Sequence, residues 1–74
     1  MATRTYRLIY PPSLLRRPII NQVILEFELS VNIMQAHVTH EEGWLEIQVT
    51  GDPEEIKRAM NWLAKEGVKI SSIE

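Results

Sequence analysis

An α+β fold with the order strand, helix, strand, strand, helix, strand is what this chain predicts, and three observations carry that prediction. Two runs, Ile33–Thr39 and Trp44–Thr50, alternate with the period of half-buried strands. The polar connection Thr39-His40-Glu41-Glu42-Gly43 joins them as an antiparallel hairpin, with Gly43 expected to supply positive φ. On either side of the hairpin lies a stretch with apolar residues at helical spacing, and each of these is flanked by a further short strand pattern.

Within the hairpin, Met34, Ala36 and Val38 are expected on one face, with Gln35, His37 and Thr39 on the other. In the second run Leu45, Ile47 and Val49 form the buried face, and Glu46, Gln48 and Thr50 the wet one. Upstream, Thr3–Tyr10 alternates as a strand and stops at Pro11-Pro12, because proline cannot donate to a ladder and restricts its predecessor. Pro18 fits the first position of a helix, and Ile20, Val23, Ile24 and Phe27 then make an apolar stripe. Ser30, Val31 and Asn32 end that helix and enter the hairpin. Downstream, Asp52 is placed to cap a second helix, with Pro53 at its first position and Glu55 completing a capping box. Ile56, Ala59, Met60 and Leu63 form its buried side, and Gly67 suits its C-terminal end. Val68–Ile73 closes the chain as a strand with Val68 and Ile70 inward.

Two crossovers and one hairpin give a ferredoxin-like βαββαβ arrangement: a four-stranded antiparallel sheet with both helices on one face. Right-handed crossovers place the first and third strands in the middle and leave the second and fourth as edges.

Composition narrows the function. Residues 1–74 read as one domain, close to the size at which a single core only just suffices. There is no cysteine, so no disulfide, thiolate metal site or iron–sulfur ligand set. The net charge of −2 lacks the basic footprint of a nucleic-acid binder. No apolar stretch approaches the roughly 20 residues of a membrane-spanning helix, and the first residues lack the apolar run of a signal peptide. A cytoplasmic location is the expectation.

Once the element order is set, Val31-Asn32-Ile33-Met34 resembles the Asn-Ile-Leu stretch for which the NIL domain is named, with Met34 in place of Leu. Pro18-Ile19-Ile20, Ala36, Gly43-Trp44, Gly51 and Gly67-Val68 fit the same pattern, so the resemblance covers nearly the whole chain. It implies a non-catalytic regulatory domain. In that family such domains lie at the C-terminus of methionine-importer ATPase subunits, where they dimerise and bind methionine to inhibit transport. Others are joined to an iron–sulfur ferredoxin segment, and some stand alone. The Pro11-Pro12-Ser13-Leu14-Leu15 approach and Gly43-Trp44 resemble the ferredoxin-linked branch. The expectation is therefore a homodimer that binds a small amino acid, methionine by resemblance, with no cofactor. The alternative is a protein-interaction module docking through its edge strand or open sheet face onto a transporter or ferredoxin component.

The residues that would carry either role are few. Asn32 offers a donor and an acceptor to a ligand, or it bonds local backbone at the helix–strand junction. Ile33 and Met34 are core, or the seam of a dimer if their strand is an edge. Gln35 and His37 lie on the open sheet face, where a small polar ligand or plain solvent would meet them. Trp44 is a partner-contact candidate or packs against the hairpin, whereas Trp62 is expected at the core's edge. His37 and His40 fall on opposite strand faces and no matching ligand set surrounds them, so no metal site is expected. No nucleophile–base pair and no Gly-rich phosphate loop is present, which argues against catalysis.

Overall fold

The computed structural model describes residues 1–73. Strand β1 (Ala2–Tyr10) leads through a short 3-10 turn at Pro12–Leu14 to helix α1 (Ile19–Glu26). Strands β2 (Leu29–Val38) and β3 (Gly43–Gly51) form the hairpin, followed by α2 (Pro53–Glu66) and β4 (Lys69–Ser72). The sheet order is β2-β3-β1-β4 with every neighbouring pair antiparallel, so β1 and β3 are central, as the right-handed crossovers require.

The central strands carry the core. Leu8, Leu45, Ile47 and Val49 from the sheet meet Ile19, Val23 and Phe27 from the first crossover and Ile56, Ala59 and Leu63 from α2. Cross-strand partners in an antiparallel pair share a face, so Tyr6, Ile47 and Ile33 stand in one row on the helix side. Trp62 packs at the margin of this cluster, edge-on to Phe27 with ring centroids 6.2 Å apart.

Helix α2 is held at both ends by the residues expected there. The Asp52 carboxylate accepts the Glu54 N–H at 2.9 Å, Pro53 opens the helix, and Gly67 closes it at φ 108°. The Gly67 N–H donates to the Ala64 carbonyl at 3.1 Å and the Val68 N–H to the Leu63 carbonyl at 3.0 Å, satisfying two terminal acceptors. Asp52→Ala removes the capping acceptor and is expected to cost about 1 kcal/mol of stability, measurable by urea unfolding.

Several local expectations are corrected. Glu55 does not complete a capping box: its carboxylate accepts the Glu28 N–H at 3.1 Å and pairs with Arg58 at 2.6 Å, fastening the entry of β2 to α2. Gly43 does not adopt positive φ, which among the described residues belongs to Gly67 alone. The Thr39 hydroxyl oxygen accepts the N–H groups of Glu41 (3.2 Å) and Glu42 (3.1 Å), and its own N–H reaches the Glu42 carbonyl at 2.8 Å. This side-chain turn closes the hairpin, and the glycine serves packing instead. A Cβ on Gly43 would fall 2.5 Å from Leu15 Cδ2. Pro18 is the residue before α1 rather than its first. The stripe of that helix also rotates, because Ile19, Val23 and Phe27 are buried while Ile24 is 47% exposed. Finally, β2 begins at Leu29, so Asn32 lies inside a strand and not at a junction.

Candidate functional site

Asn32, Ile33, Met34, Gln35 and His37 lie on β2, an edge strand that is mostly exposed, and Trp44 lies beside them on β3. Beyond Val31 every residue of β2 is exposed, whereas Leu45 and Ile47 beside them on β3 are buried. The reason is the length of α1. Eight residues rise about 12 Å at 1.5 Å each, and the chain leaves the helix at Phe27 in an extended conformation. The helix therefore cannot roof the far half of a ten-residue strand.

A bulge divides that strand. Ile33 pairs with Ile47 and Gln35 with Glu46, which leaves Met34 as an extra residue with no partner on β3. The inserted residue overturns the expected strict alternation. Ala36 and Val38 do face the helix side, in register with Leu45 and Gly43, but Met34 leaves their company and Ile33 joins it. Neither Ile33 nor Met34 is core: they are 51% and 53% exposed, and Val38 is 62% exposed. Asn32, paired with Gln48, lies on the open face, and its Nδ2–H donates to Met34 Sδ at 3.4 Å.

Further along the open face several polar residues pair with one another. Trp44 is flanked in register by Ile9 and His37. The Arg7 guanidinium lies 4.6 Å from the centroid of its ring, and the His37 ring is nearly parallel to it at 6.0 Å. Arg7 also pairs with the Glu46 carboxylate, and His37 Nε2 is 3.3 Å from a Glu42 carboxylate oxygen. Trp44 thus anchors the hairpin to β1 through its own neighbours. Two buried polar atoms, Arg7 Nε and the Tyr10 hydroxyl, have no hydrogen-bond partner among the described residues, and burial pushes the Tyr10 hydroxyl up to about 12. No group of three or more potential metal ligands occurs among the described residues.

Asn32, Ile33, Met34, Gln35 and His37 are brought onto one strand, and none of them lines any of three depressions in the surface. One borders the start of α2 near Gly51 and Asp52, one is a groove at Phe27 and Trp62, and one is a slot between Pro11-Pro12 and Gly67. A further apolar contribution, Ile24 and Leu25 at 47% and 75% exposure, was not expected at the surface. Its signal was present in the run Val23-Ile24-Leu25, since three successive apolar residues cannot all face one side of a helix.

The NIL domain profile matches residues 4–72, which run from β1 to β4 and take in all six elements. The chain belongs to the NIL domain family. It is 32% identical over 73 residues to the methionine import ATP-binding protein MetN of Cupriavidus pinatubonensis, covering 93% of this chain but only 21% of that protein. It is also 34% identical over 53 residues to the L-aspartate semialdehyde sulfurtransferase iron-sulfur subunit of Methanocaldococcus jannaschii, covering 72% of this chain and 40% of that one. In structure, this NIL domain superposes on the C-terminal domain of an ABC transporter ATP-binding protein from Enterococcus faecalis with a TM-score of 0.81 at 27% identity, covering 95% and 82% of the two chains. The ferredoxin-like arrangement expected from the element order is thus shared with that transporter domain. No helix among the described residues is long and apolar enough to cross a membrane.

Proposed function

We propose that this NIL domain is a non-catalytic, cytoplasmic regulatory module that pairs with a second copy along β2 and binds a small amino acid, methionine, at that edge. The observation that carries the reading is an apolar, uncharged edge. Proteins normally protect such a strand with Lys, Pro, inward charges, extreme shortness or a bulge, and of these β2 has only the bulge at Met34. Here β2 runs for ten residues, Leu-Ser-Val-Asn-Ile-Met-Gln-Ala-His-Val, without a proline or a formal charge, and leaves Ile33, Met34 and Val38 half or more exposed. A two-fold axis normal to the sheet would set β2 antiparallel to its copy, extend the sheet to eight strands and keep all helices on one face. It would also bring α1 beside its copy, where Ile24 and Leu25 are available for burial. A domain this small gains in proportion, because its own core buries a modest share of its surface.

Methionine as the ligand is supported by kinship with methionine import ATP-binding proteins and by the exposed Asn32 amide on the same strand. Sedimentation over a dilution series, with and without methionine, tests the reading. The expected result is a monomer–dimer equilibrium that methionine shifts toward dimer. A monomer at every concentration, indifferent to methionine, would overturn it. That outcome would favour a second reading, in which the same edge or the Trp44 face docks onto a transporter or ferredoxin component, a reading supported by the iron–sulfur relative.

A further inference from the structure

We infer that Met34 is an internal occupant of the Asn32 amide, and that it sets the affinity of this edge for a thioether ligand. The inference rests on the methionine reading above and concerns how that site is regulated. Asn32 and Gln35 both lie on the open face beside the bulge, and it is the Asn32 amide that meets the bulged residue. An asparagine amide has two N–H donors and one carbonyl acceptor. One of those donors is directed at the Met34 sulfur, 3.4 Å away.

The bulge makes this contact possible. A residue held in the ladder has its backbone direction set by a partner on the next strand, but Met34 has none. Its unbranched side chain, with three rotatable bonds and a polarizable sulfur, is free to fold back along the strand onto the residue two positions earlier. The side chain remains 53% exposed.

The chemistry of the occupant is the point. The side chain of free methionine ends in the same CH2–S–CH3 group that Met34 already presents to Asn32. A group tethered two residues away acts at an effective concentration in the millimolar range or above, so a free thioether reaching for this donor competes with it. Sulfur is a weak acceptor, which keeps the competition mild: the contact is displaceable, and it raises the ligand concentration at which the site responds. Met34 is thereby a specificity-determining residue, one that tunes the threshold of the sensor without being required for its fold.

Met34→Leu tests this, because it keeps side-chain volume and apolar character while removing the sulfur. Two readouts are taken on the intact chain: the nitrogen-15 NMR signals of the Asn32 side-chain amide, and calorimetric titration with methionine. The expected result is that the Asn32 amide signals move in Met34→Leu and that methionine binds about two- to five-fold more tightly, the range of one weak net hydrogen bond. Met34→Ala is expected to shift both readouts in the same direction. Unmoved Asn32 signals, or equal methionine affinity in both proteins, overturn the role of Met34 and leave the sensor reading standing. Absence of binding heat in either protein, with the amide signals displaced, overturns the sensor reading and the competition with it.

Discussion

Ile47→Ala lowers the stability of this domain by about 2–5 kcal/mol, while Gln48→Ala, one residue along, stays within about 0.5 kcal/mol of the parent. Ile47 is 1% exposed at the middle of the central strand β3, paired with Tyr6 on one side and Ile33 on the other. Truncating it removes a side chain that faces both helices and leaves a cavity that close-packed neighbours cannot fill. Gln48 points to the opposite face, where its side chain is only part-covered. The difference is large against the whole. At about 0.05–0.15 kcal/mol per residue, a chain of 74 residues has only some 4–11 kcal/mol to lose. Thermal melts should show Ile47→Ala unfolding about 10 °C or more below Gln48→Ala. Equal, small losses at the two positions would mean that the register of β3 is wrong.

Ile33→Lys is expected to abolish the proposed self-association along β2 while leaving the monomer folded. Ile33 lies on the helix-side face but is 51% exposed, so the monomer loses little when it is replaced, about 1 kcal/mol or less. In a two-fold pairing each copy would bring a lysine into the seam, and two like charges would be desolvated there without a partner. That penalty amounts to several kcal/mol, or more than a hundred-fold in dissociation constant. The substitution imitates the guard that natural edge strands commonly carry. Sedimentation equilibrium gives the answer, with circular dichroism reporting the fold. A lysine variant that dimerises as tightly as the parent would place the contact surface somewhere other than β2.

The parts of the fold that were legible in the chain are those written in local chemistry. Asp52-Pro53 announces the start of α2, Gly67 its end, and the alternation of Leu45, Ile47 and Val49 the buried face of β3; each depends on residues within a few positions. Element order and chirality then supply the sheet order without further information. What escaped depends on partners distant in sequence. The bulge at Met34 exists only relative to the β3 register, since nothing in Asn32-Ile33-Met34-Gln35 distinguishes an inserted residue from a regular one. The diversion of Glu55 to the Glu28 N–H joins residues that only the tertiary fold brings together. The exposure of the β2 edge was hidden for a similar reason: it follows from the short span of α1, whose bounds the apolar Val23-Ile24-Leu25 run does not mark. Asn32, Ile33, Met34, Gln35 and His37 do share one strand, but its alternation is broken by a residue that the sequence alone does not single out.

The same inserted residue bears on solubility. An apolar, uncharged strand edge invites endless stacking of identical chains, which is how cross-β fibrils grow. Met34 splits the hydrogen-bonding row that β2 offers into Leu29–Ile33 and Gln35–Val38, five residues and four, out of step with each other. A bulge also sharpens the local twist, so the row is bent as well as interrupted. A flat strand from a stranger finds no long template here, while a copy carrying the same irregularity meets a matching contour. In the proposed pairing, the bulge would let the chain keep a sticky edge for its own kind without becoming a seed for fibres.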